Sequence, residues 1–325
     1  MGLVLLWVGG VAGAQTTTLK IATLAPEGSS WMKLFHVWQG KVEARSEGRV
    51  KIHFYAGGVQ GDEHEVLRKI RLGLLSGAAI TGIGLSSISG EARALEIART
   101  YDELDGLRAA LADDIKKSFL DKGYVLMSWG DVGPVHLFAS RPVRTLDDLR
   151  MLKLWMWSDD PVSRQLFGAL GLHGVPLGVP EVLPSLSTGQ IDSFFGSPLS
   201  TVALQWSTYA KYMTTTTVSQ ATGATVMSKK AWDALAPADQ KILVEEAVAM
   251  EALVRAQVRA DNTKALEVMQ RRGLQLVEMA PALQAELDRA AEAVAHQNEH
   301  TVPKAFRDKV QKLADDYRAQ LARKK

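Results

Sequence analysis

Apolar residues recur along this chain at two spacings. In SSWMKLFHVWQGKVEARS, Trp31, Leu34, Phe35, Trp38 and Val42 fall at helical intervals, and Gly48 ends the pattern. TTTLKIATLAP before it and VKIHFY after it read as strands, the first ended by Pro26, so the chain opens as strand, helix, strand. A helix over 63–72, capped by Asp62, comes next. A small-residue strand is expected over 75–83, where Gly82 and Gly84 would let a ligand or a neighbouring backbone approach. Residues 86–118 read as mostly helical, and 124–129 and 135–139 as two strands, the second crossing between domains.

The stretch 145–206 organises the rest. Thr145 can cap a short helix with Asp147 and Asp148 in its first turn. LKLWMW is an apolar run that suits a buried strand, with Leu154 and Met156 on one face and Trp155 and Trp157 on the other. A helix over 160–169 stops at Gly171, a strand is expected over 173–176, a helix begins at Pro180 and Glu181 and stops at Gly189, and 191–195 is a third strand. Alternating strands and helices imply a parallel sheet, whose strand ends form ligand crevices. ATVMS should return to the first domain, and a helix without a breaker runs from Pro237 to Arg272. At about 1.5 Å per residue that helix is roughly 54 Å long, more than one small domain, so it should lie across both. LQLVEM and helices over 280–300 and 303–322 complete the chain.

Composition narrows the classes. The chain has 325 residues, 46% hydrophobic and 23% charged, which suits a globular protein of two domains. Its net charge is +2 with no basic stripe, which argues against nucleic acid. With no Cys, a disulfide scaffold, a thiolate metal site and a Cys nucleophile are excluded. MGLVLLWVGGVAGAQ reads as an export signal over 1–14, although it lacks Lys or Arg at its start; a buried first strand is the alternative. Its apolar run is too short to span a membrane.

Catalytic and metal motifs are weak. Gly57, Gly58 and Gly61 are not followed by Gly-Lys-Ser/Thr, so a phosphate loop is rejected. The run DEHE points its side chains in different directions once helical. His296 and His300 share a helix face without a third ligand, and Asp159 and Asp160 most simply start a helix. No cofactor, metal site or catalytic residue is expected. The aromatic residues are more telling: Trp155, Trp157, Phe194, Phe195 and Trp206 gather at strand ends of the second domain, with Trp31 and Trp129 near those of the first. Each alone is ordinary core material.

Three motifs in order carry a resemblance. FYAGGVQGDEHEVLRKIRLGLLSGAA, then LDDLRMLKLW with ALGLHGVPLGVPEVLPSLSTGQIDS and Pro198, then MSKKAWDALAPADQKILVEEA are similar to the periplasmic substrate-binding subunits of TRAP transporters, the DctP family. The resemblance covers nearly all of the chain after Gln15. It implies a two-domain α/β periplasmic binding protein fold, each domain a mainly parallel sheet flanked by helices, with one long helix crossing both. The domains would be 15–138 plus 224–255 and 139–223 plus 256–325. It implies a non-enzymatic receptor in the periplasm, with a small-molecule ligand and small and large membrane subunits as partners. TGIGL, SPLSTVALQW and KYM resemble the TPAT subgroup, which adds a tetratricopeptide-repeat partner.

One departure matters. The family's ligand-binding Arg falls on Trp155. Trp has one N–H donor and an apolar face, and cannot pair bidentately with a carboxylate. An apolar or neutral ligand is therefore expected, contacted by Trp155, Trp157, Ser158, Phe194, Phe195 and Ser197 of one domain and Trp31, Trp129 and Gly84 of the other. An organic acid held by another cation, an enzyme, or a lipid carrier using the same cleft are the alternatives.

Overall fold

The computed structural model of the protein describes residues 16–158, 160–298 and 302–323. The expected export signal, Asp159 and His300 lie outside them.

The opening follows the apolar spacing: β1 (Thr17–Thr23), α1 (Ser30–Arg45) and β2 (Val50–Tyr55). The Ser29 hydroxyl caps α1 by accepting from the Met32 N–H. α2 (Glu63–Arg71) starts at Asp62, whose carboxylate accepts from the Glu63 N–H at 2.8 Å. β3 (Gly77–Thr81) is shorter than its apolar pattern suggests. Thr81 accepts from the Ile83 N–H and starts α3 (Gly82–Ile88), so Gly82 and Gly84 belong to a helix. α4 (Gly90–Arg93), a 3-10 turn (Ala94–Ile97) and α5 (Tyr101–Asp121) follow.

The two strands expected over 124–129 and 135–139 are one 16-residue strand, β4 (Tyr124–Ala139). GDVGP in its middle has the composition of a turn. Irregularities at Leu126/Ser128 and Asp131/Gly133 absorb it while pairing continues. Gly133 takes φ +126, and a Cβ there would lie 2.4 Å from Asn262 Nδ2, so only glycine fits.

Beyond β4 the chain runs α6 (Leu146–Arg150), β5 (Leu154–Trp157), α7 (Pro161–Leu170), β6 (Gly174–Leu177), α8 (Val179–Thr188), β7 (Ser193–Gly196), α9 (Pro198–Ala203) and β8 (Tyr212–Thr214). Thr145 and Asp148 form a capping box on α6, and Gly171 ends α7 at φ +66. The bounds of β5, α7, β6, α8 and β7 lie within one or two residues of the sequence pattern, which gave no reading for α9 or β8. β9 (Ser219–Ser228), α10 (Lys229–Asp233), α11 (Pro237–Arg271), β10 (Gln275–Val277), α12 (Pro281–Gln297) and α13 (Lys304–Arg323) finish the chain.

The sheet order is β2-β1-β3-β9-β4-β7-β5-β6, with β8 on β4 and β10 on β8. β4 pairs with β9 up to Val135, then with β7 from His136, so one strand joins two sheet halves. Most neighbours within each half are parallel, and β9 and β4 run antiparallel to theirs. Each half is buried on both faces, as its apolar runs require. Leu67, Leu104 and Phe119 cover one face of the first half, and Met32, Val42 and Leu243 the other. In the second half, Leu154 and Met156 enter one core while Trp155, with Trp157 packed beside it, enters the other. Along the 35 residues of α11, Leu243 and Met250 pack on the first half, Val254 and Val258 on Leu199, and Met269 on the second half.

Candidate functional site

Strand ends from both halves meet around a cavity of ≈370 Å³. β1 ends there at Thr23, β3 at Thr81, β5 at Trp157 and β7 at Gly196, while β4 passes through at Ser128–Val132. This is where a mainly parallel sheet leaves space for a ligand. The wall extends to Trp31 and Trp38 on α1 and to Met250, Glu251 and Val254 on α11.

Trp31, Trp129, Trp155, Trp157, Phe195 and Ser197 all line this cavity. Phe194 does not: it is 1% exposed, stacks on Phe138 at 5.3 Å and meets Trp206 edge-on at 5.1 Å. Neighbours on a strand face opposite ways, so only one of Phe194 and Phe195 can reach the cleft. Gly84 lies inside α3, where its N–H donates to Glu63 Oε2 at 2.7 Å; the close approach it permits is Glu63's. Ser158 lies outside the wall, its carbonyl accepting from Arg164 Nη2 at 3.0 Å.

Three of the wall's tryptophans are fixed by their own donors. Trp155 Nε1 donates to the Leu177 carbonyl at 3.0 Å, Trp31 Nε1 to the Asp131 carbonyl at 3.0 Å, and Trp157 Nε1 to Asp62 Oδ2 at 2.7 Å. The Trp155 ring lies 5.2 Å from Trp157 and 5.3 Å from Trp206. Trp155 therefore offers a guest its aromatic face and no free N–H.

Charge in the wall has one sign. Glu63, Glu96, Asp131 and Glu251 line the cavity, and among the described lining residues there is no Lys, Arg or His. Asp131 is held by Arg108 at 2.5 Å and Arg259 at 2.7 Å. Glu63, 1% exposed, accepts from Thr81 N and Oγ1 and from Gly84 N. Burial nevertheless pushes its carboxyl up to about 7. Glu251 accepts from the Trp129 N–H at 3.0 Å. Burial also raises Glu96, against the pull of Arg93.

Among the described residues, two side-chain hydrogen-bonded contacts tie the halves together at the cleft. Arg93 of α4 grips Asp160, the N-cap of α7, through Nη1 at 2.6 Å and Nη2 at 2.8 Å. Burial works to raise the Asp160 carboxyl, but Arg93 and the α7 cap hold it below its ordinary value. Trp157 to Asp62 is the second contact.

The DEHE side chains diverge: Asp62 meets Trp157, Glu63 is buried under Thr81, and Glu65 pairs with Arg68. Among the described residues no group of three or more His, Cys, Asp or Glu is placed to hold a metal ion. Trp38, Glu96, Met250 and Glu251 join the wall without having stood out in the sequence. They sit on helices or a turn, where spacing alone does not separate a cleft face from a core or solvated one.

Known proteins agree with this architecture. The sequence profile of the bacterial extracellular solute-binding proteins of family 7, DctP, matches residues 21–301. A solute-binding protein of Verminephrobacter eiseniae is 24% identical over 271 residues, covering 82% of this chain and 80% of that one. A TRAP periplasmic solute-binding protein of Ralstonia eutropha H16, with bound (S)-2-acetolactate, superposes with a TM-score of 0.84 at 22% identity, covering 92% of this chain and 99% of the other. An extracytoplasmic solute receptor of Bordetella pertussis that binds pyroglutamic acid gives 0.83 at 19% identity, covering 93% and 100%. The chain thus belongs to family 7 of the bacterial extracellular solute-binding proteins, DctP, a family of TRAP solute receptors and not of enzymes.

Proposed function

We propose that this protein is the extracytoplasmic solute-binding subunit of a TRAP-type secondary transporter, and that it takes a small apolar or neutral ligand. The ligand enters the cavity, the domains close over it, and the complex delivers it to small and large membrane subunits. One observation carries the ligand class: the wall is aromatic and, among its described residues, without a cation, with Trp155 where the resemblance places an Arg. Trp31, Trp129, Trp155, Trp157, Phe195 and Ser197 are the proposed contacts. The proposed domains are 15–138 plus 224–255 and 139–223 plus 256–325; the exchange of β4 partners between Val135 and His136 supports that division. The mature chain is proposed to begin near Gln15 in the periplasm, and a tetratricopeptide-repeat partner is proposed from the TPAT-like phrases.

A second reading has support in the similar structures, which hold (S)-2-acetolactate or pyroglutamic acid. An organic acid would then need Arg93, which is already engaged with Asp160.

Calorimetry with phenethyl alcohol, an apolar neutral probe, on Trp155→Ala and Trp155→Arg separates the readings. Truncation to Ala should weaken the probe by about 1–3 kcal/mol, the range for one buried side chain. Arg at this position should reject the probe. If Trp155→Ala lowers the melting temperature but leaves affinity unchanged, Trp155 is core alone and the ligand class fails.

A further inference from the structure

Glu96 lines the cavity with no hydrogen-bond donor on its carboxylate among the described residues. It stands in the 3-10 turn after α4, directly against Gly82. A Cβ on Gly82 would lie 2.0 Å from Glu96 Oε1, so glycine is what leaves the carboxylate its place. The nearest cation is Arg93, whose Nε is 3.9 Å from Oε2. Both terminal nitrogens of Arg93 are committed to Asp160. Arg93 therefore answers two carboxylates with one charge. The other acids of the wall are served by the protein: Glu63 by Thr81 and Gly84, Asp131 by two arginines, Glu251 by the Trp129 N–H.

The aromatic lining is the second feature. Trp31, Trp129, Trp155 and Trp157 share the wall with Glu96. The cavity thus presents an acceptor without a donor among aromatic side chains.

We infer that the cavity takes an amphipathic organic cation, with an apolar body against Trp155 and Trp157 and a protonated amine hydrogen-bonded to Glu96. This rests on the receptor reading above and replaces its neutral ligand with one whose apolar body carries a positive charge. An ammonium supplies the donors Glu96 lacks and neutralises the surplus negative charge. Aromatic faces attract a cation, which an anion or an alkane would not exploit. A carboxylate head would meet Glu96 as a like charge with no free cation nearby. A hydroxyl would supply a donor but leave the charge, so it should bind more weakly.

Three probes with one body test this: phenethylamine, phenethyl alcohol and phenylacetate, titrated by calorimetry into the full chain and into Glu96→Gln. The amine should bind at least about tenfold tighter than the alcohol, and the acid more weakly than either. Glu96→Gln should weaken the amine by about 10- to 100-fold and leave the alcohol within about twofold. If the variant fails to fold, salt dependence of amine binding to the unaltered protein replaces it: affinity should fall as salt rises. Tighter binding of phenylacetate than of the amine, an unchanged amine affinity in Glu96→Gln, or salt-independent amine binding overturns the inference. If the alcohol binds well and Glu96→Gln changes nothing, the apolar-ligand reading stands and the cation falls. If no probe binds the unaltered protein, both fall.

Discussion

Replacing Arg93 by Ala should open the cleft. Arg93 reaches from α4 to Asp160 at the start of α7, with 2.6 and 2.8 Å contacts on separate carboxylate oxygens. Asp160 is 2% exposed and also accepts from the N–H groups of Val162 and Ser163, so its charge stays fixed at the mouth of the second half. Hydrogen bonds to charged groups contribute roughly 1.5–3 kcal/mol each, net of exchange with water. Burying the charged pair costs desolvation, so the two contacts do not sum to the full amount. A net of about 2 kcal/mol for the pair corresponds to roughly a thirtyfold shift of the closed–open balance. Small-angle scattering of ligand-free Arg93→Ala should give a larger radius than the unaltered protein, while the melting temperature barely moves. Arg93→Lys, which keeps the charge but not the two-pronged contact, should fall between them. An unchanged scattering curve together with a lowered melting temperature would refute the latch and make the pair a structural one.

Other outcomes follow from the same geometry. Glu63 titrates near 4.5 in an unfolded chain and at about 7 in the fold. The folded state therefore keeps a proton that the unfolded chain has lost, and stability should decline between those pH values by roughly 3 kcal/mol. Urea unfolding across that window should show the decline, and Glu63→Gln should remove it; identical pH profiles would count against the assignment. Gly133→Ala must fit a side chain at φ +126 against Asn262 and should lose about 2 kcal/mol or more in denaturant unfolding. N-terminal sequencing of protein recovered from the periplasm should begin near Gln15, and an intact Met1 in that fraction would contradict cleavage.

Much of the fold was legible because it follows local rules. The alternation in LKLWMW sends Leu154 and Met156 to one core and Trp155 to the other. Thr145 caps α6, Asp62 caps α2, and the unbroken pattern after Pro237 is α11. The middle of β4 was not legible, because GDVGP has turn composition and only pairing with β9 makes it strand. The site divides the same way. Trp155, Trp157 and Phe195 were accessible to reasoning because strand ends face a cleft. Phe194 shows the limit: the register that chooses between adjacent residues comes from packing on Phe138 and Trp206. Glu96 and Glu251 gave no signal at all, since a carboxylate on a turn or a long helix looks solvated until another element closes over it.

Native mass spectrometry of the protein purified gently from its native periplasm, followed by release and identification of the retained molecule, tests the central claim most directly. The account predicts a small molecule with an apolar body and no carboxylate, bound one to one. Release of an organic acid, of the kind held by the similar receptors, would contradict it.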